Sequence, residues 1–470
     1  MKVGEIKTME MTSRSELIDI LNTLDLGKAI AELDDQLDNT FVESSNLFDF
    51  ISDRYDVIRG AKGTGKSALL LFVYNNKRNF QSLDNVILVK ANEHSGDPAF
   101  RKAFGSLNKD NSLEIYATAW KIYIVNLIYE ATLSYISLDA KLEKYLKEKD
   151  ILTKEKGFLN RLIYAVLRAR TTVTISDVEY GVQLGDIEQP QNFIDFNYIF
   201  SEFQNILSAE DIRVWVLLDR LDDAFPDWTK ESLMAIKSLF YVYKDLLGLK
   251  NLKLKTFIRT DIFDRITQDG FTSLSHINPV TSAPILWDDV KIKKFILNRF
   301  KRYLDITNEC SAIENILGKK IDPGKRQPDS FRWLLNHLKD GNQIYTPRDI
   351  LDYLDKARQH TLTELENDPS ASLHSMFFTR NALKKAWSTV SKGKYETQLC
   401  AENPELKEYF EIFRDKKSEY TALMLESFWG DEYRDICSRL SYVGFFNKYG
   451  ENWKIPFLYR PCLNIRQGKM

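Results

Sequence analysis

The strongest constraint on this chain is a glycine-rich segment, GAKGTGKS at residues 60–67, set between two apolar runs. The preceding run YDVIR predicts a short strand, and the following run ALLLFVYNN predicts a buried helix. A strand, this loop and a helix together match the phosphate-binding loop, or P-loop, with the pattern G-x-x-x-x-G-K-[ST]. Glycine tolerates positive φ without a clashing Cβ, so the backbone N–H groups can turn towards phosphate oxygens.

Each conserved position of this pattern has a chemical role. Lys66 supplies a mobile cation for the β- and γ-phosphates of ATP, Ser67 a hydroxyl for Mg²⁺, and the following helix its positive N-terminal end. The flanking strand and helix argue against a chance match. The predicted nucleotide-binding residues are the loop and the residue after it: Gly60, Ala61, Lys62, Gly63, Thr64, Gly65, Lys66, Ser67 and Ala68.

A P-loop needs an acidic residue at the end of a neighbouring strand, and VWVLL at residues 214–218 is followed by Asp219. We therefore predict that Ser67 and Asp219 hold the metal. Many ATPases carry a glutamate after this aspartate, whereas this chain has Arg220. Either Asp222 or Asp223 acts as the general base, or hydrolysis is slow and bound ATP holds a switch. Both aspartates also fit a helix-capping role.

Two arginines are candidates for sensing the γ-phosphate. The strand LKLKTFI at residues 252–258 ends in Arg259, Thr260 and Asp261, at the edge of the sheet where parallel α/β folds bind ligands. Arg259 either contacts phosphate or pairs with the nearby aspartate. In TPRD, Thr346 starts a helix and places Arg348 in its first turn, where the helix dipole disfavours a cation. Arg348 therefore contacts a phosphate or a partner, or is a solvated surface residue.

The predicted catalytic residues are thus Lys66, Asp219, Asp222, Asp223 and Arg259, with Arg348 added to the nucleotide-binding set.

Composition narrows the function classes further. The 65 basic and 67 acidic residues give a net charge of -2, so no overall basic field points to nucleic acid. The four cysteines form no CxxC pair, and with five histidines a zinc site is not expected. We expect the cysteines to be reduced core thiols. No leader-like or membrane-length apolar segment is present, which predicts a soluble cytoplasmic protein.

The chain length predicts several domains. We expect an N-terminal helical segment (1–40), a P-loop core (41–285) with a helical insertion at about 100–200, a helical lid (286–372) and a C-terminal module (373–470). In the insertion, residues 111–169 predict two long helices, and the alternation in 171–184 predicts a hairpin. Its charged stretch is either a solvated face or a surface for a partner or nucleic acid.

Two further segments carry local predictions. Residues 285–303 read as a loop entering an amphipathic helix, with its apolar side formed by Val290, Ile292, Phe295, Ile296 and Phe300. At the C-terminal end, a helix over 432–446 leads into a Tyr-Gly turn between short apolar strands, the layout of a winged helix. Its neighbouring cations are few, so it binds either DNA or protein.

These motifs together resemble the bacterial ATPases of the STAND, KAP and initiator-like AAA+ group. The resemblance rests on GAKGTGKS, VWVLLDRLDD, FIRTD, ILWDD and TPRD in that order, and covers roughly residues 40–360. It implies an α/β P-loop NTPase with an ASCE/AAA+-like parallel sheet, Lys66 and Ser67 as Walker A, and Asp219 as Walker B. It further implies a sensor-1 region at Arg259 and Thr260 and a sensor-2 arginine at Arg348.

The resemblance also implies a role, because members with this layout are frequently linked to anti-phage defence as sensors or adaptors. The leading hypothesis is an ATP- and Mg²⁺-dependent switch that controls a protein effector, with or without self-oligomerisation. The alternative is an ATP-dependent regulator or loader that holds DNA through its winged helix. A small-molecule phosphoryl transferase is disfavoured because no acceptor site is identifiable.

Overall fold

The computed structural model describes residues 14–91, 113–136, 139–154, 158–177, 194–224, 230–268, 270, 274–304 and 306–469. The chain forms two compact units. The P-loop unit comprises Glu43–Lys62 and Lys66–Ile285, and the C-terminal unit comprises Met1–Val42, Gly63–Gly65 and Leu286–Met470. Each unit buries its own hydrophobic cluster, so each has an independent core. The division into four domains stays a prediction.

The P-loop unit is built on a parallel sheet with the order β1-β4-β3-β2. Its strands are β1 (Val57–Gly60), β2 (Val86–Lys90), β3 (Arg213–Leu218) and β4 (Leu252–Arg259). An extended segment continues the sheet beyond β1, because the Ser282 and Ile285 amides donate to carbonyls of β1 at 2.8 Å each. All four strands therefore end at one edge, where β1 leads into the P-loop. This arrangement confirms the predicted α/β P-loop fold with an ASCE/AAA+-like sheet.

Helices cover this sheet and fill the insertion between β2 and β3. The apolar helix Leu113–Leu133 is buried, and its Trp120 and Tyr123 donate to the carbonyls of Ala235 and Ala91 at 2.8 and 2.5 Å. The described helices of this unit are Ser45–Ile51, Lys66–Asn75, Leu113–Leu133, Ala140–Glu148, Phe158–Asp177, Phe196–Ala209, Leu221–Ala224, Lys230–Leu246, Thr260–Gln268 and Leu274–Ile277. Across the described residues, we find no helix with the length and apolar character needed to cross a membrane.

The insertion departs from the sequence-based expectation in two ways. Where two long helices were predicted, the structure has three, Leu113–Leu133, Ala140–Glu148 and Phe158–Asp177. The hairpin predicted for 171–184 is wrong over 171–177, which complete the third helix, and the remainder lies outside the described residues. The β-branched Thr172 fits a helix because its hydroxyl donates to the Arg168 carbonyl at 3.0 Å.

The C-terminal unit contains the helical lid, and the N-terminal segment packs against that lid. Asp34 and Arg299 form a buried ion pair at 2.7 Å, which fixes that segment to the helix Asp289–Phe300. The predicted apolar side of this helix is buried apart from Val290, whose side chain is 75% exposed because it lies in the first turn. The described helices of this part are Arg14–Thr23, Leu37–Thr40, Asp289–Phe300, Glu309–Leu317, Ser330–Leu338 and Pro347–Asn367.

The chain ends in a winged helix, as predicted. Its sheet has the order β6-β7-β5-β8, where β5 is Lys417–Thr421, β6 Asn447–Tyr449, β7 Asn452–Lys454 and β8 Arg466–Lys469. The β6–β7 hairpin turns at Gly450, which has a φ of 58°. Its strands are more polar than expected, with Trp453 their buried residue. The helices are Arg380–Lys394, Lys407–Glu411, Ala422–Trp429 and Tyr433–Tyr442, the last shorter than predicted.

The cysteines are free thiols, as expected, but only one belongs to a core. Cys437 is buried, Cys400 and Cys462 are partly buried, and Cys310 is exposed. The expectation of four core thiols was wrong because it rested on residue type alone, and Cys310 lies in the first turn of the helix Glu309–Leu317.

Candidate nucleotide-binding site

The site begins with the lysine of the P-loop. Lys66 opens the helix Lys66–Asn75, and its Nζ donates to the carbonyls of Gly60 and Ala61 at 2.9 and 3.0 Å. Its ammonium group is therefore held inside the curve of its own loop. Burial lowers the pKa of Lys66, although the nearby carboxylates of Asp219 and Asp222 act in the opposite direction.

A hydroxyl and a carboxylate meet beside this lysine. Ser67 Oγ donates to Asp219 Oδ2 at 2.5 Å, which joins the start of the P-loop helix to the end of β3. Asp219 is 7% exposed, and burial raises its pKa to about 6 against the opposing effects of Ser67 and Lys66. Hydroxyl and carboxylate oxygens are ligands that Mg²⁺ prefers. These two side chains therefore fit the predicted metal position, and a divalent cation there would favour the ionised carboxylate.

The predicted sensor arginine at the end of β4 is engaged by carboxylates. Arg259 Nε and Nη2 donate to the two oxygens of Asp261 at 3.0 and 2.8 Å, and Nη1 lies 3.5 Å from Asp222 Oδ2. The sequence left open whether Arg259 contacts phosphate or pairs with its neighbour, and here the pairing forms. The structure also places Asp261 at this edge of the sheet. The sequence did not single it out as a site residue, although its position close to Arg259 in the chain was the signal that could have identified it.

The hydroxyl of Thr260 lies next to this ion-pair cluster. Its Oγ1 is buried and has no hydrogen-bond partner among the described residues. A buried hydroxyl without a partner carries a free-energy cost, and groups of this kind are found at ligand sites. Thr260 follows β4 directly, so it sits at the sheet edge where β1 and β3 also end.

The residues after Asp219 take an unusual backbone course. Arg220 is exposed and has a φ of 55°, in the left-handed region. Asp222 and Asp223 then fall in the short helix Leu221–Ala224, where Asp222 faces Arg259. The side chain of Asp223 lies outside the described part of the structure. Of the two general-base candidates, Asp222 is therefore placed beside the cluster.

The predicted sensor-2 arginine belongs to the C-terminal unit. Thr346 Oγ1 accepts from the Asp349 amide at 3.2 Å, so the helix Pro347–Asn367 begins as predicted, with Arg348 in its first turn. Asp349 pairs with Lys394 at 2.8 Å. Arg348 Nε donates to the Ala29 carbonyl at 3.4 Å.

Three residues of the P-loop tip group with this same unit. A Cβ placed on Gly63 would lie 3.0 Å from Thr346 Oγ1 and 3.1 Å from Arg348 Cβ. Trp287 Nε1 donates to the Thr64 carbonyl at 2.9 Å. Gly63 and Gly65 have φ values of 85° and 97°, which glycine alone adopts without strain. Trp287 was not singled out as a site residue, although ILWDD belongs to the recognised motif set.

No group of three or more histidine, cysteine, aspartate or glutamate side chains suited to a metal occurs among the described residues.

Comparison with known proteins gives only distant similarities. No family model matches the sequence, and no curated protein matches it significantly. A Walker-type ATPase of Pyrococcus abyssi is 12% identical over 95% of this chain and 100% of its own, at a TM-score of 0.43. The Orc2 protein of Aeropyrum pernix, solved as ADPNP and ADP complexes, is 12% identical over 88% and 90%, at 0.34.

The Orc1 protein of the same organism, solved in complex with DNA, is 11% identical over 93% of this chain and 96% of its own, at a TM-score of 0.32. Similarities at this level add nothing to the fold assignment, which rests on the strand order and the P-loop.

Proposed function

We propose that this chain binds ATP with Mg²⁺ and hydrolyses it. The observation that carries the proposal is the meeting of Lys66, Ser67 and Asp219 where β1 and β3 end. In this assignment the loop backbone and Lys66 hold the phosphates, and Ser67 with Asp219 holds the metal. When bound, Mg²⁺ neutralises phosphate charge and polarises the phosphoryl oxygens.

Slow hydrolysis is the second element of the proposal. Arg220 occupies the position after Asp219, its backbone is left-handed and its side chain is exposed, so no carboxylate follows Asp219 directly. Asp222 is the nearest described candidate for orienting or deprotonating water, but it faces Arg259 at 3.5 Å. A carboxylate that is held by a guanidinium is less free to orient water. Hydrolysis therefore proceeds slowly unless a partner moves Arg259.

The cluster around Arg259 supplies a route to a switch. An anionic phosphate near the end of β4 competes with Asp261 and Asp222 for the Arg259 guanidinium, since both partners offer oxygens to the same donors. Thr260, with its unpartnered hydroxyl, offers a further donor at this edge. The state of the nucleotide thereby sets the position of the helix Thr260–Gln268. We propose that this change, together with Arg348, controls an effector protein or self-assembly.

The test is nucleotide binding by Lys66→Ala. Loss of one charge-assisted contact weakens ATP binding by about 10- to 100-fold. Binding is measured by calorimetry with a slowly hydrolysed ATP analogue and Mg²⁺, and the exposed Lys250→Ala serves as the matched control. Equal ATP affinity and equal phosphate release for Lys66→Ala and the control would refute the proposal.

A second candidate function follows from the winged helix. The antiparallel β5–β7 pair and the helices Ala422–Trp429 and Tyr433–Tyr442 form the module that many DNA-binding proteins use. In this second candidate function, bound ATP enables the chain to bind duplex DNA. Salt-dependent binding of duplex supports it, and absence of binding at low salt excludes it.

The anti-phage role and the STAND or KAP affiliation rest on motif resemblance alone. They stay proposals, and co-purification of the tagged chain with a specific effector, in an ATP-dependent manner, is the measurement that supports them.

A further inference from the structure

A strongly basic loop joins two lid helices, far along the sequence from the P-loop. It is the segment GKKIDPGKRQPD, residues 318–329, between the helices Glu309–Leu317 and Ser330–Leu338. We call it the basic loop, because it carries Lys319, Lys320, Lys325 and Arg326. The proposed nucleotide site uses none of these residues.

The loop is held in a defined shape. Its two ends are joined, since the Ser330 amide donates to the Lys319 carbonyl at 3.0 Å. Lys320 Nζ donates across the loop to the Gly324 carbonyl at 3.1 Å. Gly318 has a φ of 76°, and a Cβ there would lie 2.5 Å from His374 Nε2, so only glycine fits. A closed loop presents its side chains at a lower entropic cost on binding than a flexible tail does.

Both carboxylates of the loop are used internally. Asp322 accepts from Lys384 Nζ and from Trp333 Nε1, each at 2.6 Å. Asp329 accepts from the Arg332 amide at 2.8 Å and so caps the helix Ser330–Leu338. Asp322 is therefore paired with a cation outside the loop, whereas the exposed Asp329 serves as a helix cap, and neither carboxylate forms an ion pair with a cation of the loop.

The cations are left for solvent or a partner. Lys319, Lys325 and Arg326 are exposed, and none of their side chains makes a hydrogen bond or ion pair with any residue in the described ranges. Arg380 adds a fourth exposed cation beside the loop, because its Nη2 lies 3.3 Å from Nδ1 of His374, the residue packed on Gly318. The result is a local surface of net positive charge in a chain of nearly balanced charge.

The winged helix shows the opposite pattern. Residues 431–454, which include the turn before the last helix, that helix and the hairpin, carry basic and acidic groups in equal number, so their charges cancel. These groups are Arg434, Arg439, Lys448 and Lys454 against Asp431, Glu432, Asp435 and Glu451. Because non-specific affinity for a phosphate backbone follows the number of neutralised phosphates, this surface is poorly suited to hold DNA by charge.

We propose that the basic loop, with Arg380, binds the phosphate backbone of duplex DNA, and that the winged helix contributes little to that affinity. The inference rests on the second candidate function and assigns its contact surface. Lys and Arg contacts of this kind are independent of base sequence and strongly dependent on salt. About three neutralised phosphates correspond to a salt slope of about -3 in log K against log salt.

The test compares two triple variants of the full chain. Lys319→Gln, Lys325→Gln and Arg326→Gln remove the loop cations, and Arg434→Gln, Arg439→Gln and Lys448→Gln remove the same charge from the winged helix. Binding of a labelled mixed-sequence duplex is followed by fluorescence anisotropy at several salt concentrations. The loop variant is expected to bind about 100-fold more weakly near 100 mM salt and to lower the slope by nearly 3, whereas the winged-helix variant changes affinity less than about threefold.

Several outcomes overturn the proposal. One is a loop variant that binds duplex as tightly as wild type does, and another is a winged-helix variant that loses more duplex affinity than the loop variant. A third is a wild-type chain that binds acidic vesicles or a poly-glutamate peptide but does not bind duplex. ATP affinity, measured on the same samples, separates this result from the nucleotide proposal. Equal ATP binding by wild type and both variants, with no duplex binding, overturns the loop assignment and leaves the P-loop assignment standing.

Discussion

The edge of the P-loop sheet and the core of the winged helix are both buried, but they bury opposite kinds of groups. At the sheet edge, charged side chains lie together, with Asp219 and Arg259 buried and Lys66 partly buried. In the winged helix, aromatic rings surround Phe413, with centroids of Tyr420, Phe445 and Phe446 at 4.9, 5.6 and 5.2 Å.

The two kinds of burial affect the stability of the fold in opposite directions, and only the burial of charges points to a function. Burial of the aromatic rings stabilises the fold by itself, since rings in contact add to the gain from apolar burial. Burial of charges at the sheet edge costs free energy that the internal pairs only partly offset. A site of this second kind is explained by a ligand that supplies the missing partners. The comparison therefore predicts opposite responses to substitution in the two regions.

The largest effect is expected for Asp219→Asn. Loss of the carboxylate that we propose as a metal ligand should lower the rate of ATP hydrolysis about 100-fold or more. The ligand-free protein should become more stable at pH 7.5. Because burial raises the folded-state pKa of Asp219 to about 6, its stabilising protonated form is lost as pH rises through that value. The gain is up to about 3 kcal/mol.

Phosphate release and thermal unfolding without nucleotide check both parts of this prediction. The exposed Glu210→Gln is the control. A variant that hydrolyses ATP normally would show that Asp219 does not hold the metal, and a destabilised one would contradict the strain assigned to this edge.

The second effect is the reverse case, Phe413→Ala in the winged helix. Removal of a fully buried ring costs about 3–5 kcal/mol of unfolding free energy. ATP affinity should remain within about twofold, because the P-loop unit has its own core. Chemical denaturation and calorimetry provide the measurements. Phe48→Ala, a ring that is 55% exposed, is the matched control and should cost much less.

The two regions also differ in how far the sequence predicts them. Apolar periodicity and turn residues predicted the sheet strands β1, β3 and β4, the TPRD helix start and the winged helix, since burial of a face leaves a regular pattern in the chain. The pattern cannot show which charges pair across the fold. Lys255 illustrates this limit: it reads as the polar half of the alternation in LKLKTFI, yet it is fully buried and pairs with Asp53 and Asp56 at 2.5 and 2.6 Å.

The same limit applies at the site. Motif spacing predicted that Lys66, Ser67 and Asp219 lie at one site, and the structure brings them together, because the P-loop is a local structure and the acidic strand has a distinctive end. The partners of Arg259 were left as alternatives, and one of them, Asp222, is 37 residues away in sequence. The hairpin predicted in the insertion was wrong over residues 171–177 because β-branched alternation also fits a helix that has already been started by the preceding residues.

A third prediction concerns pH and tests whether the C-terminal unit also buries a group whose charged form is disfavoured. His337 stacks on Trp333 at 3.7 Å and contacts Phe457 at 4.4 Å, and burial lowers its pKa to about 4. Between pH 6.5 and 4 the unfolded chain takes up a proton that the folded chain refuses, so stability falls as pH falls. At pH 5 this contribution is about 2 kcal/mol.

His337→Phe removes the contribution of histidine protonation to the free energy of unfolding and keeps an aromatic ring stacked on Trp333. The difference in unfolding free energy between pH 7.5 and pH 5 should therefore be smaller in the variant than in wild type by about 2 kcal/mol. Denaturation at the two pH values checks it, and equal pH dependence in both proteins would show that His337 is protonated in the fold.

The smallest effect is expected for Arg220→Asn, at the sheet edge. A non-glycine residue with a φ of 55° carries backbone strain, and asparagine tolerates the left-handed region better than arginine does. Unfolding free energy should rise by about 0.5–1 kcal/mol, while Lys250→Asn, at an exposed residue without positive φ, should not raise it. If the variant is instead less stable but hydrolyses ATP faster, the arginine side chain itself restrains the site. The strain at this edge then comes from the charge of the arginine and not from its backbone conformation.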